Sequence, residues 1–485
     1  MIKFYFVQIL FLIVLLLIPG KGFTQPSIET YKQEAFEWIN INSKTFEDAA
    51  MAIHGFAETK LNEYHSAEYL AGLLEQEGFT VERGVADMPT AFVATYGSGR
   101  PIIGILAEYD ALPGLSEKPG LTYKEPVTED APGHGCGHNL LGTASTAAAI
   151  SVKIIMDRHN LKGQIKLFGC PAEEGTIGKV YMARAGIFDD LDACLTWHPG
   201  TKNHVILVNS LAKNEFEVIF HGKNAHAASK PWRGRSALDA IELMNVGVNF
   251  LREHLEDQVR IHYVITNGGL VPNVVPNYAC AWYYVRDSSR KGVEEVYQRV
   301  LKCAEGAALM TDTKLEVKLI TGVYEYLPNY ILSSVLYRNL KLVGAPKFSS
   351  DDQQFAKEIQ KNLKIPCKGL STFIERFEKS DRPSSYSTDV ADVSWIVPTA
   401  GLLTVAAAPL GISGHSWAMT SSAGSPIGFK GMIVAAKILA ASSIELFLDP
   451  KIIEKAQEEF KEKTKNFIYK SAVPLERKPP LPKDK

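Results

Sequence analysis

The 485-residue sequence has few cysteines and almost no net charge. Six cysteines are too few for a disulfide scaffold in a chain of this length. The formal net charge is −2, so the sequence predicts no basic face that would bind nucleic acid or an anionic membrane. Beyond the N-terminus, no apolar run suggests a membrane-spanning helix, and no internal repeat is seen. The composition, 46% hydrophobic and 22% charged, indicates a globular protein of two or three domains.

The apolar segment at the N-terminus is interpreted as a signal peptide. Lys3 precedes an apolar run from Phe4 to Pro19, and small residues follow near Gly22. A basic residue, a short apolar run and small residues in this order are typical of secretory signals. The run is shorter than the roughly 20 residues that a membrane-spanning helix needs. We therefore expect residues 1–24 to direct export to the periplasm or the exterior, without a stable membrane anchor.

Short apolar runs that alternate with helical patterns predict an α/β architecture for most of the chain. Residues 29–80 have helical patterns, and residues 142–156 have the composition of a buried helix. The predicted strands of this part lie at residues 91–96, 102–107, 165–168 and 191–196.

The pattern changes near residue 210, where a second, smaller unit is predicted. Strand, helix, two strands, helix and strand follow one another, with Ser236 as the N-cap of the first helix. This β-α-β-β-α-β order is that of a ferredoxin-like unit. We predict a catalytic domain formed by residues 25–209 and 326–471, with the second unit inserted at 210–325. Residues 472–485 are rich in proline and lysine and are predicted to form a loose tail.

Four short clusters carry side chains that bind metals. They are Gly-His-Gly-Cys-Gly-His at 133–138, Pro-Ala-Glu-Glu at 171–174, Trp-His-Pro at 197–199 and Gly-His-Ser at 414–416. Thiolate, imidazole and carboxylate groups are the ligands of Zn²⁺ and similar ions. The ends of successive strands meet at one edge of an α/β sheet, so we expect these clusters to converge there. The predicted ligands are Cys136, His138, Glu174, His198 and His415.

The adjacent carboxylates Glu173 and Glu174 suit two different tasks. Both follow a strand-like run and a proline, which argues against ordinary surface positions. One carboxylate can bind a metal ion while its neighbour accepts a proton from water that the ion activates. The sequence therefore indicates a metallohydrolase.

The set of motifs resembles the M20 metallopeptidase family and, within it, the amidohydrolase branch. Cys136-Gly-His-Asn139 with Ala107-Glu-Tyr-Asp-Ala-Leu-Pro113 is closest to the p-aminobenzoyl-glutamate hydrolases and the β-alanyl-lysine dipeptidases. The resemblance covers nearly the whole mature chain. It implies a two-domain metallohydrolase whose inserted ferredoxin-like domain serves as a lid and as the dimerisation surface.

The resemblance also implies a pair of divalent ions, either Zn²⁺ or Mn²⁺. Cys136 would bridge them, His138 and His198 would complete one site, and Glu174 and His415 would complete the other. Glu173 would be the general base in the attack of metal-activated water on an amide carbonyl. The implied substrates are small N-acyl amino acids or dipeptides of the p-aminobenzoyl-glutamate or β-alanyl-dipeptide type. The alternative on the same fold is a non-catalytic, metal-stabilised protein that binds a peptide.

The resemblance implies four further roles, three of them in the inserted unit. His226 would reach the partner subunit's active site in a homodimer and stabilise the oxyanion. Asn273 and Arg286 would bind polar groups of the substrate, and an arginine suits a carboxylate because it donates two parallel hydrogen bonds. Outside this unit, Asp389 would shape the substrate pocket.

Two residues keep alternative interpretations at this stage. Asp110 stands where many M20 enzymes have the aspartate of a His-x-Asp motif. Here Glu108 stands at the histidine position, and the resemblance implies that His138 takes the place of that histidine. Asp110 either supports a metal ligand or is a turn residue. His134 either supports the metal site or forms hydrogen bonds with the backbone of its loop.

Overall fold

The computed structural model describes residues 27–379, 384–405 and 408–482, and the predicted signal peptide at 1–24 lies outside these ranges. The helices are α1 Ile28–Ile41, α2 Ser43–Phe56, α3 Tyr64–Gln76, α4 His138–His159, α5 Gly178–Arg184, α6 Ala237–Leu251, α7 Arg290–Thr311, α8 Tyr330–Val343, α9 Ser350–Asn362, α10 Val390–Ser394, α11 Trp417–Ala423, α12 Pro426–Leu448 and α13 Pro450–Thr464. The strands are β1 Thr80–Arg83, β2 Phe92–Ser98, β3 Ile102–Glu108, β4 Gly163–Cys170, β5 Ala193–Gly200, β6 His204–Val205, β7 Ala212–His221, β8 Arg260–Asn267, β9 Tyr278–Asp287, β10 Lys314–Val323 and β11 Thr399–Val405.

A seven-stranded sheet forms the centre of the larger unit. Its order is β1-β2-β4-β3-β5-β11-β6, and the four strands β4, β3, β5 and β11 run parallel. Glu108 at the end of β3 pairs with Cys170 at the end of β4. The carboxyl ends of the parallel strands therefore meet at one edge, which is where ligands bind in open α/β sheets.

Helices α4 and α12 form the core of this unit. Both are long and apolar enough to cross a membrane by length and composition, contrary to the expectation from the sequence, yet most of each is buried inside the fold. Small residues let α4 approach the sheet closely: a Cβ atom at Gly142 would come within 2.7 Å of the Glu108 carbonyl oxygen. The close approach of the Gly142 backbone to Glu108 holds the N-terminal end of α4 beside the carboxyl end of β3, where the donor clusters lie.

A four-stranded antiparallel sheet forms the second unit, with the order β10-β7-β9-β8. Along the chain its elements follow the predicted β-α-β-β-α-β order, from β7 to β10. The alternation of side chains in β7 buries Phe216, Val218 and Phe220 in a hydrophobic core between this sheet and the helices α6 and α7. Ser236 caps α6 as predicted, because its hydroxyl oxygen accepts a hydrogen bond from Asp239 N at 3.1 Å.

The segment predicted as a loose tail differs from the expectation over its first residues. Val473 is only 1% exposed, because it belongs to a hydrophobic cluster that also contains residues of β4 and α5. Arg184 donates to the carbonyl oxygen of Pro474, and Arg477 donates to that of Leu319, both at 2.6 Å. Composition alone predicted looseness, whereas these tertiary contacts hold the segment on the fold.

All six cysteines are free thiols.

Candidate active site

The glycine-rich loop before α4 places two donors at the start of that helix. Gly137 adopts φ 74° as the N-cap residue, a conformation that glycine accepts without strain. At Gly133 a Cβ atom would lie 2.0 Å from the carbonyl oxygen of Leu115, so only glycine fits. The loop consequently brings the Cys136 thiol and the His138 ring to the edge of the sheet.

Asp110 connects two of the predicted ligands. His138 Nδ1 lies 2.8 Å from Asp110 Oδ1, and Glu174 N donates to Asp110 Oδ2 at 2.9 Å. With Nδ1 donating to the carboxylate, the neutral form of the ring has its lone pair on Nε2, the nitrogen that could bind a cation. Of the two interpretations left open for Asp110, the structure supports the one in which it orients a ligand. Carboxylates that orient metal-ligating histidines in this way are common.

His198 is oriented by a backbone carbonyl group. Its Nδ1 lies 2.7 Å from the carbonyl oxygen of Pro199, which fixes the proton on Nδ1. Its Nε2 then lies 3.3 Å from the Sγ atom of Cys136. The rings of His138 and His198 stand nearly perpendicular, with their centroids 5.5 Å apart. These three residues offer one sulfur and two nitrogen atoms to a common point.

His415 approaches from the opposite loop. It adopts φ 55°, which is uncommon for a residue other than glycine and is a form of strain often found at functional sites. Its backbone N–H donates to the carbonyl oxygen of Gly135 at 2.8 Å, so the two glycine-rich loops are joined. His415 Nε2 lies 3.2 Å from Glu174 Oε1.

The residues brought together fit divalent cations. In each of three groups of side chains, the donor atoms all lie within 4.8 Å of one another. One of the donor atoms, His138 Nε2, is buried and has no hydrogen-bond partner among the described residues. A buried polar atom without a partner is costly unless a ligand binds it. A divalent cation that accepts both thiolate and nitrogen or oxygen ligands would bind such an atom here. The groups are Cys136–His138–His198, Cys136–Glu174–His415 and Glu108–His138–Glu173.

The two adjacent glutamates titrate in opposite directions. Burial raises the pKa of Glu173 well above its ordinary value, and the nearby Glu108 and Glu174 carboxylates raise it further. Burial also acts to raise the pKa of Glu174, but His415 and His138 outweigh it and lower that pKa to about 2. Glu174 is therefore an anion suited to bind a cation, whereas Glu173 can accept and release a proton.

Comparison with known proteins identifies the family. The sequence pattern of peptidase family M20/M25/M40 matches residues 104–422. The chain belongs to this family. The predicted resemblance and the predicted hydrolase class are thereby confirmed.

Relatives of this M20 hydrolase include enzymes and a solved structure. A subunit of the p-aminobenzoyl-glutamate hydrolase of Escherichia coli (strain K12) is 40% identical over 462 residues, which cover 90% of this chain and 96% of that protein. Xaa-Arg dipeptidase of Homo sapiens is 28% identical over 465 residues, 92% of this chain and 95% of that protein. A dinuclear metal-binding M20 peptidase of Bacillus subtilis has a TM-score of 0.58 at 17% identity, covering 84% of this chain and 99% of that one.

The structure shows a partner of Asp389 that the prediction for this M20 hydrolase did not include. Its side chain is fully buried and accepts hydrogen bonds from the backbone N and the Nζ of Lys179, at 2.9 and 2.6 Å. In this position it pairs with Lys179 inside the fold, and its role in shaping the substrate pocket stays a prediction. That role came from the resemblance, because residues 387–392 lie where the related amidohydrolases have Glu-Asp-Phe, and only the packing of α5 against α10 reveals the lysine partner.

Glu108 and Lys179 were missed as members of the site. Glu108 joins the third donor group, and Lys179 Nζ lies 2.7 Å from Glu108 Oε1. The Glu-Tyr-Asp stretch offered a signal for Glu108, because it occupies the place of a histidine ligand in other M20 enzymes. Nothing in the sequence distinguishes Lys179 from a surface lysine.

The remaining predicted residues lie outside the three donor groups. His226 and Asn273 are exposed in two loops of the second unit, where Ala227 N donates to the carbonyl oxygen of Asn273 at 3.0 Å. Arg286, at the end of β9, donates to Ser387 Oγ at 3.2 Å. Its Nε atom is buried and has no hydrogen-bond partner within the described ranges.

The structure supports the interpretation in which His134 forms hydrogen bonds with the backbone. One ring nitrogen, Nε2, lies 3.0 Å from the carbonyl oxygen of Ile53, and the other accepts from Asn139 N at 3.3 Å. Both nitrogen atoms are thus occupied by the backbone. Burial lowers the pKa of His134 well below its ordinary value, so the ring is neutral and joins the loop to α2.

Proposed function

We propose that the protein is a dinuclear, cation-dependent amide hydrolase of small N-acyl amino acids or dipeptides. The observation that carries this proposal is the convergence of three donor groups at one edge of the sheet, with Cys136 in two of them and the adjacent carboxylates Glu173 and Glu174 in different groups. Glu174 Oε1 lies 3.2 Å from His415 Nε2, which leaves Glu173 as the neighbouring carboxylate that can take a proton. A site that only holds a peptide has no use for a proton acceptor at this position.

The residues of this chain would bind two cations and move one proton. Cys136 belongs to two of the donor groups and would contact both cations. Zn²⁺ or Mn²⁺ held there would supply Lewis acidity, which polarises an amide carbonyl and makes water more acidic. The Glu173 carboxylate takes the proton of the attacking water and delivers it to the amide nitrogen. The new C–O bond then replaces the C–N bond, and a carboxylate and an amine leave.

His226 would stabilise the developing oxyanion from the partner subunit. Its Nδ1 accepts hydrogen bonds from Ala228 N and Ser229 N, both at 3.2 Å. The ring proton then resides on Nε2, which makes the exposed side of the ring a hydrogen-bond donor. Because His226 is exposed and belongs to no donor group of its own chain, action across a homodimer boundary is the arrangement we propose.

Arg286 is the proposed partner of a substrate carboxylate. Its buried Nε lacks a partner within the described part of the chain, and its Nη1 contact with Ser387 leaves further donors free for a substrate. A carboxylate would satisfy the unpaired Nε and an Nη atom together. Asn273, in the loop beside His226, would add an amide contact. The preferred substrates are therefore amides whose amine portion carries a free carboxylate.

A substrate panel tests this proposal. We expect the protein loaded with Zn²⁺ or Mn²⁺ to hydrolyse at least one of p-aminobenzoyl-glutamate, N-acyl amino acids and β-alanyl dipeptides. The amide analogue of the best substrate, which lacks the free carboxylate, should react at least tenfold more slowly, because a charge-assisted pair with Arg286 contributes about 1.5–3 kcal/mol. Release of the amine, followed by chromatography, gives the rates. No turnover of any member with either ion would refute the proposal.

The surface of the second unit supports homodimer formation. Strand β8 is an edge of the four-stranded sheet and exposes Val264 and Ile265, at 56% and 44%. Helix α6 of the same unit exposes Leu243, Val246 and Phe250 along one face. An uncovered edge strand next to apolar side chains favours pairing with another chain.

We expect the double variant V264K/F250K to weaken the dimer and to lower hydrolysis with it. Two added charges would be desolvated in the interface, which raises the dissociation constant by at least a hundredfold on the basis of about 1.4 kcal/mol per tenfold change. Sedimentation velocity measures the association. I41K, at an exposed residue of α1, is the matched control and should leave the dimer intact.

A fully active monomer would disprove the role of His226 across the boundary. The Escherichia coli relative is by name one subunit of a hydrolase, and a different subunit of that hydrolase is also similar to this chain. The same experiment should therefore include mass determination for a complex with a second kind of chain. Association with a different chain in place of self-association would replace the homodimer proposal.

Export through the N-terminal segment remains part of the proposal. Its support is the order of Lys3, the apolar run and the small residues that follow. Sequencing of the N-terminus of the protein purified from its native host should show a start after residue 24. A mature chain that begins at Met1 in the cytoplasm would contradict export.

A further inference from the structure

Lys179 is a buried cation for which the proposed reaction has no task. Its side chain is completely buried, and its Nζ lies 2.7 Å from Glu108 Oε1 and 2.6 Å from Asp389 Oδ1. Its backbone N–H donates to the other oxygen of Asp389 at 2.9 Å. A buried ammonium group is costly unless such partners hold it, so two carboxylates fix it firmly in one position.

Glu108 connects this ion pair to the donor atoms. One of its oxygens is held by Lys179, and the other, Oε2, lies 3.3 Å from His138 Nε2. That nitrogen is buried and has no hydrogen-bond partner among the residues that the structure describes, while Nδ1 of the same ring is taken by Asp110. Two oxygen or nitrogen ligands of one tetrahedral zinc ion are about 3.3–3.5 Å apart, given bond lengths of about 2.0–2.2 Å. The separation therefore fits two atoms that face one cation.

We propose that Lys179 is a positioning residue that holds Glu108 with one carboxylate oxygen directed at the cation site of His138. Asp389 holds Lys179 from the far side, which gives this buried aspartate a role that the sequence did not predict. Glu108 thereby adds negative charge beside His138, in the donor group Glu108–His138–Glu173. The inference rests on the proposed function only in requiring that a cation occupies the site.

A second buried ion pair provides a matched control. Lys32 Nζ lies 2.8 Å from Glu445 Oε2, and its side chain is 5% exposed. This pair joins α1 to α12 and contacts none of the donor groups. Both lysines are buried and paired with glutamates, but only Lys179 is linked to His138 through its partner.

The test measures cation affinity in the full chain, by competition of Zn²⁺ and Mn²⁺ with a chromophoric chelator. We expect E108Q and K179M each to weaken binding by about 10–100-fold, as is typical when a residue that orients a ligand is lost. The double variant E108Q/K179M should be no weaker than the worse single variant, because Lys179 acts through Glu108. K32M should lower the melting temperature and leave the affinity unchanged.

Folded K179M with wild-type affinity would overturn the proposal, and so would losses that multiply in the double variant. If K179M does not fold, E108Q provides the test, because the amide side chain keeps the shape of the carboxyl group. An unchanged cation affinity of E108Q would also overturn the proposal. The hydrolysis assay is separate. A wild-type protein that binds cations but cleaves no amide would refute the proposed function, while the affinities of E108Q and K179M would still decide the role of Lys179.

Discussion

E173Q is expected to lower kcat by about 10²–10⁴-fold, the usual contribution of a general acid–base group. The glutamine side chain has the same shape but cannot take the proton of the attacking water or return it to the amide nitrogen. Glu173 is the member of the pair whose pKa is raised by burial and by Glu108 and Glu174, while Glu174 stays anionic. Steady-state hydrolysis of the best substrate gives kcat and KM.

Cation binding separates this role from a loss of structure. We expect E173Q to bind two cations per chain, because its neighbour Glu174 and the Cys136 thiol remain in place. E325Q is the matched control: burial also raises the pKa of Glu325, which accepts a hydrogen bond from Arg290 N and belongs to no donor group. E325Q should retain the wild-type rate. Hydrolysis by E173Q at that rate would mean that another residue is the base.

Removal of the cations should abolish hydrolysis altogether, and Zn²⁺ or Mn²⁺ should restore it. Without a cation, water keeps a pKa of about 15.7, and no side chain of the site can make it a nucleophile at neutral pH. The empty site would also leave His138 Nε2 buried without a hydrogen-bond partner among the described residues, which lowers the melting temperature. Dialysis against a chelator, elemental analysis and the hydrolysis assay check this sequence of events.

Cys136 offers a sharper version of the same test. The residue belongs to both the His138–His198 group and the Glu174–His415 group, so C136A should reduce binding at both. C367A removes an exposed free thiol outside these groups and is the control that should bind two cations normally. Full activity after verified removal of the cations, or normal binding by C136A, would contradict a shared ligand.

Local patterns were sufficient to predict most of the elements. Alternation in Asn214–Phe220 predicted β7, and the serine at 236 with an aspartate three residues later predicted the start of α6. These features depend on neighbours along the chain, since side-chain periodicity and capping are local properties. The boundaries differ by a few residues because the ends of strands and helices also depend on contacts with other elements.

The donor motifs were equally visible, because glycine and proline flank each of them and the types of ligand are distinctive. The sequence alone therefore determined the α/β class, the second unit and the set Cys136, His138, Glu174, His198 and His415, which the structure brings together.

Only the tertiary structure decided how charges beside the donors are arranged. Lys179 and Asp389 are 210 positions apart and no local pattern in the sequence pairs them, yet they form a fully buried pair. The choice for Asp110 likewise depended on a contact with His138 that no spacing encodes. Burial and the identity of an ionic partner are properties of the packed chain, because they arise from segments that meet only after folding.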